Sequence, residues 1–260
     1  MITNDLFVNL IEYSPQWENC SENLSFLSLL IEDLTSTDLI ILPEMFNSGF
    51  SLNPTTIAEK MDGKTIEWMI EISLKKHTAI CGSLVIEDNG KFYNRFIFVA
   101  EGKIVMYYDK RHLFSYGGEN RSYTAGNNRV VFSYRGWKIC PMICFDLRFP
   151  VWFRNTEYYD LLINVANWPD SRIDTWDTLL KARAIENLCY VCGVNRIGSE
   201  PTGLNYIGHS SIYTPAGKKL ELINKRNAIY SQNISLDEIK KWRSQYNFLE
   251  EQDHFKILNE

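Results

Sequence analysis

Four short, almost wholly apolar runs constrain this chain more than any other feature: Asp38-Leu-Ile-Ile-Leu-Pro43, Trp137 to Ile143, Asp160-Leu-Leu-Ile-Asn-Val-Ala166, and Tyr190 to Asn195. They lack the polar alternation of a strand with one wet face, so they read as strands of sheets covered on both sides. Helical spacing lies between them. Apolar residues at 17, 20, 24, 27, 30, 31 and 34 predict a helix over 17–34, and with a strand at 5–13 the first forty residues read as β-α-β. The segment 145–195 reads β-α-β-α-β, with one helix opened by Pro150 and running to Tyr158 and a second over 173–188. A proline suits the first position of a helix. An amphipathic helix is expected over 63–76. It leads into an antiparallel meander of strands at 78–87, 92–100 and 104–108, turning at Asn89-Gly90 and at Glu101-Gly102-Lys103. A hairpin around Arg135-Gly136 joins strands 129–134 and 137–143. Gly208 to Tyr213 opens a terminal antiparallel set, and Ser235-Leu-Asp-Glu238 has the pattern of a capping box. The expected class is α/β with mixed sheets, as one domain over 1–260 with a C-terminal tail from about 235.

Composition narrows the function. The chain has 260 residues, 45% apolar and 23% charged, in the range of a globular enzyme. Its net charge is −5 and no Lys/Arg stripe is present, which argues against a nucleic-acid partner. Asp5 and Glu12 interrupt the candidate leader at the start, and no apolar run approaches the ~20 residues needed to cross a bilayer. A cytoplasmic protein without a membrane partner is expected. Six cysteines, at 20, 81, 140, 144, 189 and 192, are scattered through a chain too long to need stapling. Cys189-Tyr-Val-Cys192 lacks the turn residues of a zinc knuckle.

Three strand ends carry reactive groups. Cys144 follows the strand 137–143, at the position where ligands meet α/β chains. Glu44 follows the strand 38–43 with Met45, Phe46 and Phe50 around it, so burial should raise its carboxyl towards the range of a useful base. Lys110 lies just beyond the strand 104–108, at the head of a long loop reaching Asn128, and Glu119 in that loop could pair with it. Each has a plainer reading: a buried structural thiol, an acid at a helix N-terminus, a solvated lysine. A Cys–His pair with His112 or His209 is the rival catalytic arrangement, although structural hydrogen bonding is the preferred role for His112.

The blocks Pro43-Glu-Met-Phe46, Tyr108-Asp-Lys-Arg-His-Leu-Phe114 and Ile143-Cys-Phe-Asp-Leu-Arg-Phe-Pro150 resemble, in order, the three signature blocks of the nitrilase superfamily of carbon–nitrogen hydrolases. Asn167-Trp-Pro169 and Arg183-Ala-Ile-Glu-Asn187 resemble two more, so the resemblance covers residue 5 to about 225. It implies a four-layer α-β-β-α sandwich that is usually a homodimer, with no metal or organic cofactor. It also implies that Glu44 is the general base, Lys110 the oxyanion cation, Cys144 the nucleophile and Glu119 a second glutamate beside them. A nearby ammonium should lower the thiol pKa. Pro43 to Phe50 and Ala166-Asn-Trp-Pro169 look most like the omega-amidase group, which implies a small-molecule amide substrate, 2-oxoglutaramate or 2-oxosuccinamate, cleaved through a Cys thioester. N-carbamoyl amine hydrolase, aliphatic amidase, nitrilase and an inactive binding module are the alternatives. Arg111, Arg121 and Arg148 are candidates to meet the anionic end of such a substrate, Arg148 having a structural alternative with Asp146 or Glu186. Phe114, Phe145, Asn167 and Trp168 are the other candidate substrate contacts.

Overall fold

A computed structural model describes residues 5–35, 37–226 and 229–258; the outermost residues of the expected 1–260 domain lie outside the described residues. The strands are β1 (Asp5–Ile11), β2 (Leu39–Ile41), β3 (Ala79–Asp88), β4 (Lys91–Ala100), β5 (Lys103–Asp109), β6 (Phe132–Tyr134), β7 (Trp137–Ile143), β8 (Leu161–Ala166), β9 (Tyr190–Asn195), β10 (Ile197–Ser199), β11 (Asn205–Ile207), β12 (Ser211–Tyr213), β13 (Ile223–Arg226) and β14 (Ile229–Ser235). The helices are α1 (Cys20–Glu32), α2 (Pro54–Ile57), α3 (Lys64–Lys76), α4 (Ile173–Asn187) and α5 (Leu236–Gln245).

Two mixed sheets stack face to face. The first has the order β13-β14-β1-β2-β3-β4-β5, with β1, β2 and β3 parallel; the second has the order β12-β9-β8-β7-β6, with β7, β8 and β9 parallel. Strand periodicity sorts the apolar side chains into layers. Leu39, Ile41, Ala79, Cys81, Phe96 and Phe98 join the core that contains the second sheet and α4. Their neighbours Ile40, Ile80, Ile97 and Val99 face the other way, onto Leu27 and Ile31 of α1 and Ile66, Met69 and Ile72 of α3. The result is the expected α-β-β-α sandwich, with both sheets covered on both sides.

Three local expectations need correction. No helix runs from Pro150 to Tyr158. The chain forms a 3-10 turn over Cys144–Arg148 and then tight turns, with Phe153 N–H donating to the Pro150 carbonyl. Asn155 stops a helix here. Its side-chain amide donates to the carbonyls of Tyr159 and Asn187 and its oxygen accepts from Tyr159 N–H, so the segment is closed as a loop. The capping box at Ser235 is also unmade: Ser235 precedes α5 without a side-chain cap bond, and Glu238 accepts the Tyr190 hydroxyl instead. Finally, the terminal strands divide. β12 pairs with β9, whereas β14 crosses to the first sheet and pairs with β1 over its full length.

Candidate active site

Four strands from the two sheets deliver their ends to one place. Glu44 follows β2, Lys110 follows β5, Cys144 follows β7 and Asn167 follows β8. Cys144 sits in the left-handed region at φ 47°, an uncommon and locally strained conformation for a residue with a side chain. Its amide N–H donates to Asn164 Oδ1 at 2.7 Å and its sulfur faces the Asn167 carbonyl at 3.8 Å. The turn behind it is pinned by Asp146. That carboxylate accepts from Ile143 N–H at 3.1 Å, the Tyr108 hydroxyl at 2.8 Å and His112 N–H at 2.9 Å.

Lys110, Glu44 and Glu119 form one buried cluster. The ammonium donates to Glu44 Oε1 at 2.8 Å and to the two Glu119 oxygens at 3.0 and 2.9 Å. Asn94, from the middle of β4, bridges the carboxylates, donating to Glu44 Oε1 at 2.8 Å and Glu119 Oε1 at 3.1 Å. Asn167 closes the other side, with its backbone N–H on Glu44 Oε2 at 2.9 Å and its side-chain amide on the same oxygen at 3.1 Å. Phe114 N–H donates to Glu119 Oε2 at 2.6 Å.

Burial opposes the Lys110 charge, but Glu119 and Glu44 outweigh it and hold the ammonium protonated beyond its ordinary range. Burial raises the Glu119 carboxyl, against the pull of Lys110. The thiol behaves differently from expectation. Burial pushes Cys144 well above an ordinary cysteine, Glu44 pushes the same way, and Lys110 pulls down without reversing the sign. The resting sulfur is therefore a thiol that a base must deprotonate.

A pocket of about 380 Å³ opens above this cluster, with Glu44, Lys110 and Cys144 among its lining residues. Phe114, Phe145, Arg148, Asn167 and Trp168 all line it, as does Phe50. Arg148 pairs with neither Asp146 nor Glu186; its guanidinium lies 5.1 Å from the centre of the Trp168 ring. Arg111 and Arg121 are not lining residues. Arg111 instead stacks on Trp152 and donates to the Gly126 carbonyl. Several wall residues escaped the sequence reading. Arg172, directly before α4, packs over Phe114 at 5.6 Å. Glu200 and Tyr206 come from the unforeseen β10–β11 hairpin, the Tyr206 hydroxyl donating to Glu200 at 2.9 Å. Asn94 was missed too, although an amide beside Phe96-Ile97-Phe98 in a buried strand was a usable signal.

His112 and His209 are both engaged away from the sulfur. His112 Nδ1 lies 2.8 Å from Asp146 and its ring stacks on Phe149 at 3.8 Å, while His209 pairs with Asp177 at 3.1 Å. Among the described residues no group of three or more His, Cys, Asp or Glu is arranged to hold a metal ion, and no helix is long and apolar enough to cross a membrane.

The chain is similar to known proteins over nearly its whole length. The carbon-nitrogen hydrolase family model matches residues 8–244. The omega-amidase YafV of Escherichia coli (strain K12) is 37% identical over 253 residues, 97% of this chain and 98% of that protein. The 2-oxoglutaramate amidase of Bacillus subtilis (strain 168) is 33% identical over 238 residues, 89% of this chain and 91% of that protein. A solved CN-hydrolase superfamily protein of Xanthomonas campestris, with an arsenic adduct in its active site, superposes with a TM-score of 0.93 at 37% identity, covering 97% of this chain and 99% of that one.

Proposed function

The chain belongs to the carbon–nitrogen hydrolase family, and from that premise we propose that it is an omega-amidase, cleaving the terminal carboxamide of 2-oxoglutaramate or 2-oxosuccinamate to the acid and ammonia. One observation carries this: a buried carboxylate bonded to a buried ammonium lines the same small pocket as a cysteine on a strained turn. The similarity to an omega-amidase and a 2-oxoglutaramate amidase supports the choice of substrate.

In this mechanism Glu44 takes the Cys144 proton as the sulfur attacks the amide carbon. The developing oxyanion is met by the Lys110 ammonium and by the backbone N–H of Phe145, at the start of the 3-10 turn. Collapse breaks the C–N bond, Glu44 passes its proton to the departing nitrogen, and ammonia leaves a thioester on Cys144. Glu44 then draws a proton from water as it attacks the thioester, and the sulfur departs with that proton as a thiol. Glu119 and Asn94 hold Lys110 and Glu44 in register, and Phe114, Phe145 and Trp168 wall the substrate. A raised thiol suits this order of events, because proton removal and attack occur together on a bound amide. A single hydrolase domain, a homodimeric state and a cytoplasmic location belong to the same proposal.

The deciding experiment is acid-quenched mass spectrometry of the intact protein with 2-oxoglutaramate, alongside ammonia release from glutamine, N-carbamoyl amines and nitriles. The expected result is an acyl adduct on Cys144 and fastest ammonia release from the 2-oxo amide. Ammonia from a nitrile alone would remove the amidase reading, and no adduct with any compound would favour an inactive binding module.

A further inference from the structure

One side chain grips the chain just past β8 from behind. Asn195, the last residue of β9, is fully buried. Its Oδ1 accepts from the backbone N–H groups of Trp168 at 2.7 Å and Arg196 at 3.0 Å. Its Nδ2 donates to the carbonyls of Trp168 and Gly208, both at 2.8 Å. Two donor and two acceptor positions are thus all used, which suits a side-chain amide and no smaller polar group. Trp168 is held by both of its backbone polar groups. It directly follows Asn167, which donates twice to Glu44 Oε2 and whose carbonyl faces the Cys144 sulfur.

Asn195 is tied in turn to the first sheet. Its backbone N–H donates at 3.0 Å to the hydroxyl of Ser210, directly before β12, and Ser210 N–H donates to Glu12 Oε1 at 2.6 Å. Glu12 directly follows β1, the parallel neighbour of β2. Burial raises its carboxyl, against the hydrogen bonds from Ser210. Residue 208 must be glycine for this approach: its φ is 75°, and a Cβ there would lie 2.1 Å from Glu12 Oε2. A buried carboxylate is costly to keep, yet no step of the hydrolysis uses Glu12.

We infer that Glu12, Ser210 and Asn195 are positioning residues, a hydrogen-bonded relay that leaves the first sheet at the end of β1, crosses to the second, and returns through Asn167 to Glu44. It ties the two sheets together at the rim of the pocket, so that base and sulfur keep one separation. The relay deepens the hydrolase proposal and rests on it for the role of Glu44.

Steady-state hydrolysis of 2-oxoglutaramate reads the relay first. Asn195→Ala is expected to lower kcat by about 10–100-fold, with a much smaller change in KM, because the reacting groups shift while the walls still bind. Glu12→Ala should lower kcat several-fold, and Glu12→Gln, which keeps an acceptor for Ser210 N–H, should recover most of it. The Glu12 pair carries the test if Asn195→Ala does not fold. Alkylation of Cys144 by iodoacetamide, followed by mass spectrometry, needs no turnover. Asn195→Ala, or Glu12→Ala in its place, should change that rate at least about threefold, and by less than about twofold when Glu44→Gln is already present, since the relay acts through Glu44. That coupling supports the relay even if no amide is hydrolysed, in which case the amidase reading alone fails. Equal effects on alkylation with and without Glu44, or Glu12→Gln no more active than Glu12→Ala, would overturn the relay and leave the amidase reading standing. So would an equal fall in kcat from Leu27→Ala, buried between α1 and the first sheet, at matched loss of stability.

Discussion

Cys144 is held by its backbone and raised by its neighbours. After burial, the Glu44 carboxylate is the largest contribution keeping the proton on sulfur. That has a consequence opposite to simple intuition about a catalytic base. In Glu44→Gln the negative charge is gone, so the Cys144 thiol is expected to titrate lower than in the wild type and carry more thiolate at a given alkaline pH. Hydrolysis should nevertheless fall by about 10²–10⁴-fold, because nothing takes the proton during attack. Ultraviolet absorbance of the thiolate against pH reads the first effect and ammonia release the second. A thiol that titrates unchanged or higher would place Glu44 outside the sulfur's electrostatic reach. The reacting residues were legible in the sequence because each directly follows an apolar strand, where a polar side chain has few roles besides chemistry. Asn94 and Arg172 were harder to see. Asn94 acts through two carboxylates brought to it by other strands, and Arg172 becomes a wall residue only once Phe114 folds over from a distant loop.

At the scale of elements, the turn after β7 is organised by Asp146, which ties Ile143, Tyr108 and His112 together. His112 is the outer member, 2.8 Å from the carboxylate on one side and stacked on Phe149 on the other. His112→Ala is therefore expected to lower stability by about 1–3 kcal/mol, from a lost hydrogen bond and stacked ring. Thermal unfolding should show this as a melting point several degrees lower, while hydrolysis stays within about tenfold of the wild type and Cys144→Ala abolishes it. Equal loss of activity from the two changes would restore the Cys–His alternative. The same region shows why local signals misled. Pro150 and the residues after it look like a helix start, but Asn155 and Asn187 satisfy the backbone groups that a helix would have used. Likewise Glu238 matches a capping box by spacing, yet Tyr190 from β9 takes its carboxylate. Most strands and long helices were readable because their periodicity is local. These two failures, and the crossing of β14 to β1, depend on partners distant in sequence.

At the scale of the molecule, the site is a seam. Glu44, Lys110 and Asn94 come from the first sheet, and Cys144 and Asn167 from the second. Their alignment therefore depends on how the two sheets pack, far below the pocket. Phe98 is a wedge in that interface, its ring 4.8 Å from Phe132 and 5.3 Å from Tyr134, both edge-on. Leu27 is equally buried but lies outside, between α1 and the first sheet. Truncating either to alanine removes buried apolar volume and should cost roughly 2–5 kcal/mol. The cavities differ in what they let move. Around Leu27 a helix relaxes onto one sheet, and both halves of the site stay in register. Around Phe98 one sheet settles against the other, and Glu44 shifts relative to Cys144. At temperatures where both variants remain folded, Phe98→Ala is expected to lower kcat several-fold more than Leu27→Ala does at matched loss of stability, because a small displacement of reacting groups is costly in rate. Denaturant unfolding sets the match and steady-state hydrolysis gives the comparison. Equal kcat for the two variants would mean that strand ends and loops alone hold the reacting groups, independently of the packing between the sheets.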